Sequence, residues 1–421
     1  MQDLQVRDNP FKSATFQRLW CKHFAKSPTH KDAVTLCGVP FIKKNRLPIY
    51  ENVGRTQTKG MDFETLGTDD GHLGHSAFLL YDVPGYFKAP AHLLENQIGH
   101  YKVKQYPGYL IELDSYQDLD KFMLRFSKRT RYKLRKCHKR LNLAFDIEHH
   151  VYFGEMDPET HNAMFKSFKG LLEKRFCEKN EHNNNLEDQE WNFFKDVSLP
   201  LIREKKAALS VLSNSGQPIA ITLNFCGDGI LYDAITVFDI DYQKFSLGYV
   251  NNMYIVDWCL KSNFKILDFS KGFFEYKEQW ASLKYDFFHY VFYNRKSTLS
   301  KSTAYALKCF YAAKQWLRDH NVHRQLNKIR YRFKKMDKGA RVSVHEYELV
   351  PLESTEIPAS WEPIPDHARD YGHLKGTLFS FLYLNEVHVS ATKLYAGPKS
   401  NEYYLAGPNQ VFQLLAPGPK D

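Results

Sequence analysis

The residues best placed to do chemistry lie in one stretch, Ile230–Trp280. Within it, Gln243-Lys244-Phe245-Ser246-Leu247-Gly248 sets small residues, Ser246 and Gly248, at the start of a helix. Small residues let backbone come close to a ligand, and the N–H groups and positive dipole end of a helix start face outward. A pyrophosphate or another anion fits such a place. Ser-x-Gly is also ordinary capping chemistry, so the loop alone names no ligand. Further along, Glu275–Trp280 carries Tyr276, Lys277 and Trp280, and carboxylates stand at Asp233, Asp239 and Glu275.

The elements that must position these residues follow from periodicity. Three β-rich runs, Ala207–Leu212, Ile219–Cys226 and Ile230–Phe238, are joined by Asn214-Ser215-Gly216 and Gly227-Asp228-Gly229, which predicts an antiparallel meander. A helix opens at Gly248, with Tyr249, Met253, Val256 and Leu260 on one face. A strand at Phe264–Phe269, the short Glu275–Trp280 segment and a strand at Phe287–Tyr293 follow. Upstream, Asp157-Pro158 reads as a cap with proline at the first helical position, opening a helix to about Phe176. A second helix, Leu186–Leu199, is expected to break at Pro200 and resume toward Lys205. Asp114–Leu141 reads as helical in two parts. Ser115 caps the first, and Ser127 begins the basic run SKRTRYKLRKCHKRL, in which Arg131 could meet an anionic substrate.

Residues 1–110 mix short elements: a helix at Ala14–Phe24 and strands at Pro40–Ile42, Leu47–Tyr50, Ala77–Val83 and Gly108–Leu113. The loop NVGRTQTKGMD has Gly54, Gly60, Arg55 and Lys59 but lacks Gly-Lys-Ser/Thr, so it is a structured loop rather than a phosphate loop. Thr298–Phe333 reads as a basic helix. Residues 338–421, including TLFSFLYL and VHVSATKLY, read as a small β appendage.

Composition narrows the function classes. A 421-residue chain has room for two or three cores. The net charge of +10 favours polyanionic partners such as phosphorylated cofactors, nucleic acid or anionic lipid. Seven scattered cysteines without a CxxC pair, and no leader-like or spanning apolar run, lead us to expect a cytoplasmic setting. Neither His320-x-x-His323 nor Glu148-His149-His150 has the further ligands of a zinc site, so no metal is expected. There is no GxSxG elbow.

The order of elements, with Gln-x-x-Ser-x-Gly at the strand-to-helix junction, resembles the acyl-CoA-binding half of the GNAT acetyltransferase fold. The family's usual loop is Gln/Arg-x-x-Gly-x-Gly/Ala, and Ser246 replaces its first glycine. Residues 120–295 resemble more closely the CelD/BcsL-like acetyltransferases, relatives of the FemAB peptidyltransferases. The resemblance rests on the basic SKRTRYKLRK helix, Tyr232-x5-Phe238-Asp239, Tyr242, Ser246-x-Gly248, Asp268-Phe269-Ser270-Lys271-Gly272 and Glu275-Tyr276-Lys277-x-x-Trp280. Leu247 stands where those proteins more often have Pro.

The resemblance implies an α/β (α+β) fold of tandem GNAT-like lobes with mixed, mainly antiparallel sheets. The parts would be a degenerate first lobe at 1–115, a connecting helix at 116–145 and an acyl-CoA-binding lobe at 146–296. A basic helical segment (297–337) and a β-rich extension (338–421) follow. The implied activity is N-acyl transfer, with acetyl the expected group, from acetyl-CoA or another acyl-CoA to an amine acceptor, an amino sugar or envelope precursor, phosphorylated or carrier-linked. Gln243, Ser246, Leu247, Gly248 and Tyr249 would hold the donor. Acyl transfer needs a neutral amine, a stabilised oxyanion and a proton for the leaving thiolate. Tyr276 would be the acid, by likeness to GNAT enzymes. Lys277 would offset charge, by likeness to FemAB-type enzymes. Asp233, Asp239 and Glu275 remain alternative bases, and Tyr232, Arg131, Asp268, Gly272 and Trp280 would line the acceptor side. Two other readings stay open: a FemAB-like transfer from aminoacyl-tRNA, and a non-catalytic basic binding module.

Overall fold

In a computed structural model, the described residues are 4–25, 33–44, 47–64, 73–88, 98–179, 183–320, 347–354, 356–365 and 369–416. Their main feature is one eleven-stranded sheet. Its first-half strands are β1 (Val34–Leu36), β2 (Val39–Lys43), β3 (Ile49–Asn52), β4 (Ala77–Pro84) and β5 (Ile98–Glu112). The second half supplies β6 (Ile147–Tyr152), β7 (Ala207–Asn214), β8 (Gln217–Gly227), β9 (Ile230–Phe238), β10 (Ile266–Lys271) and β11 (Leu283–Asn294). The order is β1-β2-β3-β4-β11-β5-β10-β9-β8-β7-β6. The sheet is mixed and mainly antiparallel, as expected; its parallel pairs are β3 with β4 and β9 with β10.

The two halves exchange strands. Each half has an antiparallel meander, then a parallel strand, then one more strand. That last strand leaves its own half: β5 pairs with β10, and β11 pairs with β4, while β5 and β11 pair with each other at the centre. Pro107 fits inside β5 because it lies opposite the irregular stretch of β11 at Asp286–Phe288, where ladder bonds are already broken.

Helices cover both faces: α1 (Ala14–Phe24), α2 (Leu119–Met123), α3 (Lys128–Ala144), α4 (Pro158–Lys179), α5 (Asp188–Arg203), α6 (Leu247–Lys261), α7 (Glu275–Trp280) and α8 (Thr298–Asp319). Ser127 caps α3 as expected, its hydroxyl accepting from Thr130 N–H. The cap of α2 is Asp118, not Ser115; its carboxylate accepts from Lys121 N–H at 2.7 Å. Helix α5 runs through Pro200 without a break. The proline removes the N–H that would bond the Asp196 carbonyl, and the helix continues past it for only one more turn.

The C-terminal appendage is a five-stranded antiparallel sheet of β12 (Glu348–Pro351), β13 (Glu362–Pro363), β14 (Lys393–Ala396), β15 (Tyr403–Ala406) and β16 (Val411–Leu415). It also holds a helix, α9 (Lys375–Asn385). The run TLFSFLYL therefore lies in α9 and is not a strand. An eight-residue run apolar all round carries no period to separate the two. Phe379 and Tyr383 of α9 pack on Phe245, and Arg140 bonds Glu386 at 2.7 Å, so the appendage sits against α3 and the segment before α6. The expected helical residues 321–333, with His323, and the expected strand residues 342–346 lie outside the described residues. No helix among the described residues is long and apolar enough to cross a membrane, and none of their side chains forms a metal-binding group.

Candidate active site

Strands β9 and β10 pair only over Ile230–Tyr232 and Ile266–Asp268. Both strands run on, so they part, and the β10-facing edge of β9 beyond Tyr232 is left without a ladder partner. A bulge at Ala234, where β9 carries one residue more than β8, adds to the divergence. Helix α6 starts where the strands part. Ser246 precedes it in the left-handed conformation (φ 54°) and its side chain makes no capping bond; its carbonyl takes the Tyr249 and Val250 N–H groups, and among the described residues no side chain takes those of Leu247 and Gly248. Phe238 closes over this turn: a Cβ at Gly248 would stand 2.7 Å from its ring. The Arg175 guanidinium lies 4.1 Å from the centre of the same ring. Gly248 is thus needed for packing as well as for access. Gln243 is exposed, its carbonyl taking the Ser246 N–H; Leu247 is buried, and Tyr249 stacks 6.4 Å from Trp280.

At the same end of the parallel pair β10 turns sharply. Ser270 adopts a left-handed conformation (φ 61°), which bulges β10 against β5. The turn aims the carbonyls of Phe269 and Lys271 at Lys277, whose Nζ donates to them at 2.6 and 3.1 Å. A lysine ammonium has three protons, so these two bonds leave one without a hydrogen-bond acceptor among the described residues, and the centre of the Phe274 ring lies 5.3 Å from Nζ. Burial lowers the Lys277 pKa, against the pull of Asp233 and Asp268. Tyr276, beside it on α7, packs edge-on to Phe269. Burial, then the Asp233 charge, raise its pKa, so the phenol keeps its proton at neutral pH.

Asp268 anchors the turn. It is fully buried and accepts from Ser270 N–H (2.7 Å), Tyr86 Oη (2.7 Å) and Tyr285 Oη (2.6 Å). Burial raises its pKa to about 6 despite these donors. Tyr285 reaches it by lying across Gly108 of β5, where a Cβ would collide with the ring. Three segments distant in sequence therefore meet on one carboxylate: β10, β11 and the Tyr86 turn of the first half.

The first half supplies more. The Lys59 amine is buried beside Lys271 and Lys277; burial first, then those two cations, lower its pKa to about 8. Asp233 and Asp82 oppose that shift. Asp82, itself in a left-handed bulge of β4 (φ 57°), pairs with Lys271, whose Nζ also donates to Thr56 O at 3.1 Å. Asp233 accepts from Thr236 Oγ1 at 2.9 Å, and burial raises its pKa against Lys277 and Lys59. Where the halves meet, Lys59, Lys271 and Lys277 therefore form one charged cluster with Asp82, Asp233 and Asp268.

The structure brings Asp233, Asp268, Tyr276 and Lys277 into one electrostatic cluster and sets Gln243, Ser246, Leu247, Gly248 and Tyr249 at the start of α6. The other positions lie apart. Asp239 caps the turn before α6, accepting from Asp241 N–H at 3.1 Å, and pairs with Lys174 at 2.5 Å. Arg131 is half-buried on the first turn of α3, its guanidinium 3.5 Å from Leu124 O. Trp280 is core, between Phe122 and Phe126. Tyr232 is buried against Phe11 and Gly60 with an unpartnered hydroxyl, and Gly272 (φ 103°) ends β10. Sequence reasoning did not assign Lys59, Lys271, Asp82, Tyr86, Tyr285 or Arg175 to the site. Lys59 had a signal, a glycine-flanked basic loop, and Lys271 stood inside the Asp268–Gly272 block.

Residues 128–278 match the family model described as an acetyltransferase (GNAT) domain. That span runs from α3 into α7 and takes in α6, β10, Tyr276 and Lys277. Over that span the fold is GNAT-like. Among solved structures, L-PGS from Bacillus licheniformis is 12% identical, with 72% of this chain and 98% of that one covered and a TM-score of 0.41. FemX is 10% identical, with 59% and 83% covered and a TM-score of 0.41. A tandem GNAT protein from the clavulanic acid biosynthesis pathway is 8% identical, with 61% and 78% covered and a TM-score of 0.30. No curated protein matches the chain.

Proposed function

We propose that this protein is an N-acyltransferase that moves an acyl group, acetyl first among the candidates, from acyl-CoA to an amine. The observation carrying this reading is the opening between the parting ends of β9 and β10, with an uncapped helix start following one strand and Lys277 following the other. The first turn of α6, with Ser246 and Gly248, fits a pyrophosphate, and an acyl-CoA bound there would supply the activated thioester. The unpaired edge of β9 past Tyr232 offers N–H donors for the oxyanion. Tyr276 holds the proton a leaving thiolate requires, and Asp233, with its raised pKa, is the carboxylate we assign to accept one from the amine. Asp239, engaged by Lys174, serves the loop before α6 instead.

Lys59, Lys271 and Lys277 favour an acceptor that carries a phosphate or another anion beside its amine. The reading includes a cytoplasmic setting, supported by seven cysteines that form no disulfide among the described residues. Titration with acetyl-CoA in a calorimeter tests the donor. Saturable binding is expected, and no heat up to millimolar concentration would overturn it. A second reading keeps the fold and takes the acyl group from aminoacyl-tRNA. The exposed Lys128, Arg129, Lys133 and Lys139 of α3 favour it. Steeply salt-dependent tRNA binding together with absent acetyl-CoA binding would select it.

A further inference from the structure

Helix α8 wears its apolar side outward. Its buried face, against β4, β5 and β11, carries Ser300, Ala304, Tyr311 and Gln315. Its opposite face carries Leu299, Phe310 and Leu317, which with Ala306 and Ala313 form a stripe at helical spacing; Tyr305 and Trp316 flank it. Phe310 is 60% exposed, Trp316 57% and Leu299 54%. An ordinary surface helix shows the reverse pattern. A 22-residue helix is about 33 Å long, so the stripe is a continuous band rather than scattered exposure.

The charge around the band has one sign. Arg295 and Lys296 precede α8, and Lys301, Lys308, Lys314 and Arg318 lie on it, with no acid before Asp319. The sequence that follows, 321–341, is also strongly basic. A second copy of the chain would have to bring like charges together to cover the band. A nucleic acid would answer the charge and stack on rings, yet leave Leu299, Leu317 and the alanines unmatched. An anionic bilayer surface answers both: headgroups take the lysines and the acyl boundary takes the aromatic and aliphatic side chains.

The band also adjoins the cleft. Arg318 lies 3.6 Å from the ring centre of Tyr106, and the next residue, Pro107, accepts the Gly272 N–H at 3.1 Å. Beyond Gly272 come Phe273 and Phe274, 54% and 57% exposed. We propose that the outer face of α8, continued by Phe273 and Phe274, docks the protein on an anionic lipid surface. This goes beyond the acyl-transfer reading and does not depend on it.

Co-sedimentation of the full chain with vesicles tests the docking. Phosphatidylglycerol-containing vesicles should bind it, and pure phosphatidylcholine vesicles should bind it at least about tenfold more weakly. Phe310→Ser with Trp316→Ser should weaken binding about tenfold or more, and so should Lys301→Glu with Lys314→Glu. All four residues are exposed, the two lysines at the borders of the buried face, and circular dichroism checks that both variants fold. The proposal is overturned if phosphatidylglycerol vesicles do not bind. It is also overturned if either double variant binds like the parent, or if RNA binds more tightly than vesicles at equal salt. A dimer in light scattering that the serine variant dissolves, without vesicle binding by the parent, would assign the band to a second copy instead.

Discussion

In both halves of the sheet an antiparallel meander ends in one parallel pair, β3 with β4 and β9 with β10. The second strand of each pair carries a left-handed bulge residue, Asp82 in β4 and Ser270 in β10. The halves differ in what crosses between the paired strands. In the second half the crossing contains α6, whose first turn faces the opening. In the first half, the described residues of the 53–76 crossing hold only the single turn Arg55–Gln57, and the loop sends Lys59 into the shared cleft. The bulges differ in the same sense. Asp82 is spent on Lys271, whereas the turn at Ser270 presents two carbonyls to Lys277. A repeated sheet therefore does not repeat a site. The crossing decides which half can hold an anion on a helix start, and the other half contributes a lysine beside Lys271 and Lys277.

The largest expected effect separates the halves at Lys277. Lys277→Ala should lower acyl-transfer kcat about 10²–10³-fold while leaving acetyl-CoA affinity within about twofold, measured by turnover and calorimetry side by side. Equal losses in both would move Lys277 from the reaction to the donor site.

The anchor shared by both halves is Asp268, and it makes a pH prediction. Its folded pKa, about 6, lies above its ordinary value. Between the two values the folded protein holds the proton that the unfolded chain has released. The contribution is therefore full below the unfolded value and is lost as pH rises through about 6. Urea denaturation from about pH 4 to about pH 7 should show the parent losing about 2 kcal/mol more stability than Asp268→Asn. Parallel curves would mean the carboxylate is not held as described.

The two crossings can be set against each other through their glycines. Gly248→Ala drives a Cβ toward Phe238 and should cost about 1–2 kcal/mol of stability and weaken acetyl-CoA binding about tenfold. Gly54→Ala is strained in its own right at φ 95°, yet should leave acetyl-CoA binding unchanged. The smallest effect belongs to Lys59. Lys59→Met should raise the acceptor KM about fivefold to tenfold with donor KM unchanged, because it removes one of three cations from the cleft.

The second half was legible in sequence because its signals are local. Asn214-Ser215-Gly216 and Gly227-Asp228-Gly229 mark hairpin turns, and Met253, Val256 and Leu260 mark a helix face, so β7, β8, β9 and α6 appear where expected. The strand exchange was not legible. Only Gly108–Leu113 of the fifteen-residue β5 reads as a strand, because Lys102, Lys104 and Gln105 dilute the apolar pattern and Pro107 argues against pairing. That β5 joins β10 while β11 joins β4 is a pairing across the whole chain, which no local period records. The site divides in the same way. Tyr276, Lys277 and Gly248 stand in motifs, whereas Lys59, Tyr86 and Asp82 reach the cleft only through that exchange. Trp280, singled out with Lys277, belongs to the core between α2 and α6, since aromatic type alone does not separate a cleft wall from packing.

The central claim is that the second half alone holds the donor. Backbone hydrogen exchange of the full chain, with and without saturating acetyl-CoA, tests it most directly. The account predicts slowed exchange at the first turn of α6, residues 247–250, and along the free edge of β9, with no change in the 53–64 loop. Protection confined to the 53–64 loop, or spread equally over both crossings, would contradict it.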